Sequence, residues 1–152
     1  MRILIIEDEF DKREKIKAHL SVILGDRLSV IESDSLRSAF KTIVTDPRLD
    51  LILLDMSMPS FDVSADEPSG GPPESFAGRE IMAQMKLRGI NVPVVVMTQY
   101  KLFEGGSVSL DELVLEFESR FSNFFRGAIY YNSAIEGWKS ELTQKIEAMM
   151  TK

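Results

Sequence analysis

The chain has 152 residues, 18 basic and 24 acidic side chains, a formal net charge of -6 and 44% apolar residues. Those figures predict one domain, residues 1–152, with a real core, and exclude global disorder. Acidic balance without a basic cluster argues against binding nucleic acid by phosphate neutralisation. The absence of Cys excludes a disulfide scaffold, thiol catalysis and a Cys-built zinc site. A lone histidine, His19, leaves no material for a His-rich metal centre or a Ser-His-Asp triad. No apolar run approaches the ~20 residues of a membrane span. Nothing ahead of Glu7 has the length of a signal peptide, so the expected location is cytoplasmic.

Ile3 to Ile6 form a short continuous apolar run, the pattern of a strand buried on both faces. The period then changes: Ile16, Leu20 and Ile23 predict a helix over 11–24. Leu28 to Ile31 reads as a second strand. Asp34 or Ser35 is placed to cap a helix carrying Leu36, Ala39, Phe40, Ile43 and Val44, and Pro47 stops it. Leu51 to Leu54 is a third buried strand that ends on Asp55. From Pro59 to Ala77 the chain is rich in Pro, Gly and acids and reads as a long loop. Helical spacing returns over 78–87, Val94 to Met97 is a fourth strand, and Ser109-x-x-Glu112 is a capping box opening a helix with Leu113, Phe117, Phe121 and Phe124. Gly127 to Tyr131 is a fifth strand. Ser133-x-x-Glu136 opens a last helix carrying Trp138, Leu142 and Ile146.

Five strand–helix alternations predict a doubly wound α/β fold: a five-stranded parallel sheet in a three-layer (β/α)5 sandwich. Sites in such folds lie beyond the carboxyl ends of the strands, where strand order reverses. Glu7, Asp8 and Glu9 follow the first strand, Asp55 the third and Thr98 the fourth. Glu7, Asp8 and Asp55 are thereby brought together. Crowded carboxylates repel one another, and Mg²⁺, which takes oxygen ligands, relieves that repulsion. A carboxylate beside such a cation can attack phosphorus and form an aspartyl phosphate. Thr98 is placed to donate a hydrogen bond to the new phosphate. The plainer alternative for each acid is a solvated loop residue or a helix cap.

Met1 to Glu9 (MRILIIEDE), Leu49 to Pro59 (LDLILLDMSMP) and Val94 to Thr98 (VVVMT) closely resemble the receiver domain of response regulators in two-component systems. The resemblance covers nearly the whole chain in the same element order and implies a flavodoxin- or CheY-like fold. It implies Asp55 as phosphoacceptor, and Mg²⁺ held by Glu7, Asp8, Asp55 and the main-chain carbonyl of Ser57, with Thr98 as the switch hydroxyl. It also implies a phosphohistidine donor on a sensor histidine kinase or phosphotransfer protein. No chain remains for an output domain, so the expected output is contact with a downstream protein. A homodimer through the fourth-helix, fifth-strand and fifth-helix face is a further expected contact. No metabolic enzyme activity is expected.

The chain departs from the family's pattern in several places. The family's lysine at the end of the fifth strand aligns with Tyr131, or with Asn132 after a shift by one. Its aromatic switch position becomes Ala128, and Gln99 follows Thr98 where a small residue is usual. About fifteen extra residues fall in a loop insertion at about 60–77. Roughly eleven more extend the fourth-helix region at about 101–126. These departures favour a second reading, a pseudo-receiver acting as an interaction module without phosphorylation. A haloacid-dehalogenase-type phosphohydrolase would need a second Asp two residues after Asp55, where Ser57 stands. His19, the Phe set at 117, 121, 124 and 125, and the stripe at Trp138, Leu142 and Ile146 read as structural. No phosphate-binding Gly-rich motif occurs.

Overall fold

The structure, a computed structural model, describes residues 1–56 and 76–150. Ser57 and residues 60–75 of the expected loop insertion lie outside the described residues. Five parallel strands form the main sheet: β1 (Arg2–Ile6), β2 (Ser29–Ser33), β3 (Leu51–Leu54), β4 (Val94–Thr98) and, last in the chain, β7 (Phe125–Tyr130). Their spatial order, β2-β1-β3-β4-β7, is the doubly wound order expected, and it reverses between β1 and β3. Helices α1 (Phe10–Leu24) and α5 (Gly137–Met150) cover one face. Helices α2 (Leu36–Thr45), α3 (Phe76–Leu87) and α4 (Leu110–Arg120) cover the other.

Side chains alternate across a strand, and the two cores follow that alternation. Ile3, Ile5, Leu51, Leu53, Val95 and Met97 pack with Ile16 and Leu20 of α1 and Trp138, Leu142 and Ile146 of α5. Leu4, Ile6, Ile52, Leu54, Val94 and Val96 pack with Ile43, Ile81, Met85, Leu113 and Phe117. Ser35 caps α2 by accepting the Ser38 amide at 3.2 Å, and Ser109 caps α4 by accepting the Glu112 amide at 3.1 Å.

Several boundaries differ from the sequence reading, among them β2 (Ser29–Ser33 rather than 28–31) and the last strand (Phe125–Tyr130 rather than 127–131). Phe76 and Ala77 already belong to α3. The extra residues after 101 do not lengthen the fourth helix. They fold into an antiparallel hairpin of β5 (Leu102–Phe103) and β6 (Val108–Ser109), and α4 has only 11 residues. Burial of Phe103 draws the hairpin onto the α4 side. Ser133 does not open α5; Asn132 Oδ1 accepts the Ala134 amide at 2.9 Å in a turn, and the helix starts at Gly137.

A bulge in β7 fixes which way its end points. Val94 pairs with Phe125 but Val96 pairs with Ala128, so β7 carries one extra residue. Gly127 has φ 112°, a conformation that favours glycine, in this irregularity. The extra residue resets the alternation. Phe125 and Ala128 face the α4 side, whereas Ile129 and Tyr131 face α1 and α5.

Candidate acidic site at the carboxyl edge

The last ladder bonds of β1 and β3 bring two acids side by side. The Glu7 amide donates to Ser33 O at 2.9 Å and the Asp55 amide to Ile6 O at 3.0 Å. Both side chains are 2% exposed. Asp8 is exposed, yet one carboxylate oxygen from each of Glu7, Asp8 and Asp55 lies within 4.8 Å of the others. Three convergent carboxylates suit a hard divalent cation. The electrostatics agree: burial first, then the Asp55 charge, push Glu7 up to about 8 despite the opposing pull of Lys12.

Lys12 was missed by the sequence reading. It lies in the first turn of α1 and is fully buried, at 0% exposure. Its Nζ pairs with Glu7 Oε1 at 2.5 Å and stands 3.6 Å from Asp55 Oδ1. The ammonium also donates to Met97 O at 2.8 Å and to Gln99 Oε1 at 3.0 Å. Burial works to lower this lysine's pKa, but attraction to Asp55 and Glu7 together carries it above the ordinary value. The ammonium is therefore charged, drawn to Asp55 and held against the Glu7 side chain. A signal was present in the sequence. Lys12, Ile16, Leu20 and Leu24 recur every four residues, so the lysine heads the buried stripe of α1.

Thr98 is fully buried at the end of β4, and its Oγ1 accepts the Tyr100 amide at 3.2 Å. Gln99 lies between the site and α1. Besides accepting from Lys12, it donates through Nε2 to Glu9 Oε2 at 3.2 Å. The main-chain carbonyl of Ser57 falls outside the described residues.

Tyr131 follows β7 directly, its amide donating to Thr98 O at 2.8 Å. Its ring is buried 5.1 Å from Trp138, with Lys12 Nζ 5.7 Å from its centroid. Burial first, and Glu9 next, hold its phenol above the ordinary range, so it brings no charge. Asn132 is engaged in its turn. His19 joins α1 to α5: Nε2 donates to Lys139 O at 2.9 Å, and the ring lies edge-on to Trp138 at 5.6 Å.

No family model matches the chain. It is 27% identical over 148 residues to the Detocs response regulatory protein DtcB of Enterobacter cloacae (strain JD6301), covering 96% of this chain and 98% of that protein. It superposes on the response regulatory domain of protein mrkE from Klebsiella pneumoniae with a TM-score of 0.64 at 18% identity, over 99% and 96% of the two chains. The Mn²⁺-bound form of response regulator Rcp1 gives a TM-score of 0.64 at 19% identity, over 97% and 91%. The chain has the fold of the CheY-like receiver domains of response regulators, and its likeness to them runs over almost its full length.

Proposed function

We propose that this chain is a response regulator receiver that accepts a phosphoryl group from phosphohistidine onto Asp55, with Mg²⁺ held by Glu7, Asp8 and Asp55. The observation that carries this reading is the convergence of those three carboxylates at the strand-order reversal of a receiver fold. Likeness to a response regulatory protein along the whole chain supports the signalling role. An all-oxygen donor set suits Mg²⁺, and the fold relative Rcp1 is Mn²⁺-bound. When bound, the cation would offset charge on the moving phosphoryl group.

The chain's own residues account for the rest. An Asp55 carboxylate oxygen attacks phosphorus, the P–N bond of the donor breaks, and the imidazole leaves with the electron pair and takes up a proton. Thr98, whose Oγ1 accepts from the Tyr100 amide, would offer its hydroxyl hydrogen to the new phosphoryl oxygens. A sensor histidine kinase or phosphotransfer protein is the donor. Output passes to a downstream protein or a second copy over the face formed by α4, β7 and α5, where Leu115 is 68% exposed.

Intact-mass spectrometry after incubation with acetyl phosphate and Mg²⁺ tests this. One phosphoryl group should be gained, and none by Asp55→Asn or in the presence of a chelator. No gain by the wild type would favour the second reading, a phosphorylation-independent pseudo-receiver. The uncharged, buried Tyr131 at the end of β7 is the observation in its favour.

A further inference from the structure

We infer that Lys12, from the first turn of α1, is the cation that grips the phosphoryl group on Asp55, and that it gives up Gln99 to do so. This rests on the phosphoacceptor reading of Asp55 and adds the residue through which the modified site communicates.

The ammonium has three hydrogens, and all three are engaged: Glu7 Oε1, Met97 O and Gln99 Oε1 each accept one. Asp55 Oδ1 stands at 3.6 Å, close enough for attraction but beyond hydrogen-bond length. Lys12 thus stands beside the carboxylate without hydrogen-bonding it. Among the described residues it is the one buried cation. Conversion of Asp55 to an acyl phosphate replaces a monoanion by an approximate dianion and extends its oxygens outward. A buried positive charge in contact must then exchange its weakest acceptor for the strongest. Of the three present acceptors, the amide oxygen of Gln99 is neutral, belongs to a half-exposed side chain and is not part of a sheet ladder. Its release frees the bridge that now runs from Lys12 through Gln99 to Glu9, at the start of the loop leading from β4 to the hairpin.

The tyrosine at 131 fits the same arrangement. A hollow of about 360 Å³ lies between α1 and the end of β7, lined in part by Lys12, Gln99 and Tyr131. The Lys12 ammonium stands 5.7 Å from the centroid of the Tyr131 ring. A cation sent from position 131 would enter the same space, so the charge reaches the site from α1 while β7 supplies packing.

The test is an intact-mass time course with acetyl phosphate and Mg²⁺ on the full chain. The P–O bond to acetate breaks, acetate leaves with the electron pair, and one phosphoryl group is added. Wild type, Lys12→Met, the double variant Lys12→Met/Tyr131→Lys and Gln99→Ala are compared, with Mg²⁺ affinity read from the fluorescence of Trp138. Lys12→Met should bind Mg²⁺ no more weakly than wild type, because a competing cation is gone, yet gain phosphoryl roughly tenfold more slowly or worse. The double variant should recover to within about threefold of wild type. Gln99→Ala keeps Lys12 and should gain phosphoryl faster than wild type.

Lys12→Met reacting at the wild-type rate would overturn the role of Lys12 and leave Asp55 as phosphoacceptor. A double variant as slow as Lys12→Met would show that packing, not charge, was lost, and would also overturn it. If Lys12→Met does not fold, Gln99→Ala decides, an unchanged rate counting against the proposal. Absence of any gain by wild type would instead remove the Asp55 reading and the proposal with it.

Discussion

The two layers on either side of the sheet solve the same packing problem and then part company at its carboxyl edge. On the α4 side Phe117, Phe121, Phe124 and Phe125 close the core. Phe121 and Phe124 stack at 5.6 Å, and Phe117 meets Phe125 edge-on at 5.5 Å. On the α1 side the buried stripe continues past Ile16 to Lys12, and the last buried position is a charge. A buried ammonium is tolerated there because Glu7 and Asp55 already sit at the ends of β1 and β3. The comparison teaches that one layer anchors the fold while the other joins the site to the fold. Lys12 touches both acids, Tyr131 lies beside Lys12, and Trp138 beside Tyr131.

Substitutions on each side should separate anchoring from coupling. The largest effect is expected from Phe117→Ala, a loss of about 3–5 kcal/mol in urea unfolding. A loss under about 1 kcal/mol would remove the aromatic cluster from its anchoring role. Lys12→Met, without divalent cation, should cost about 3 kcal/mol because it removes the cation beside the buried Asp55 carboxylate. Mg²⁺ should return part of that loss to Lys12→Met, and none to Phe117→Ala beyond what wild type gains.

Acid–base behaviour provides the third contrast. Folded Glu7 holds its proton to about 8, against 4.5 ordinarily. Its contribution therefore favours folding fully below about pH 4.5 and is lost as pH rises through about 8. Without divalent cation, wild type should lose stability relative to Glu7→Gln across that window in denaturant titrations. A constant difference between the two would show that Glu7 is already ionised. The smallest effect is expected from His19→Ala, which removes the link between α1 and α5 at a cost of about 1 kcal/mol. Its phosphorylation rate should match that of wild type.

Most of the fold was legible from local pattern. Four-residue apolar runs at 3–6 and 51–54, each followed by charge, have the pattern of strands covered on both faces, and Ser109 three residues before Glu112 marked a helix start that the structure keeps. The convergence of Glu7, Asp8 and Asp55 was legible too, because strand order in a doubly wound sheet leaves their positions little freedom. The hairpin at 102–109 was not. Its two-residue strands are too short to show a period, and the burial of Phe103 depends on the face formed by α4. The start of α5 was misplaced because Asn132, not Ser133, uses its side chain in the turn.

The amino-acid sequence by itself determined the doubly wound sheet, the acids at its carboxyl edge and the absence of a lysine at 131 or 132, the end of the last strand. These follow from periodicity and chain order. Tertiary structure alone decided how the acids are balanced and what fills the place beside them. The bulge at Gly127 turns Tyr131 toward α1, and the packing of α1 on the sheet carries Lys12 to Glu7, Asp55 and the Met97 carbonyl. Those contacts join residues up to 85 positions apart. A charge's partner at that separation is set by packing geometry, and no local pattern encodes it.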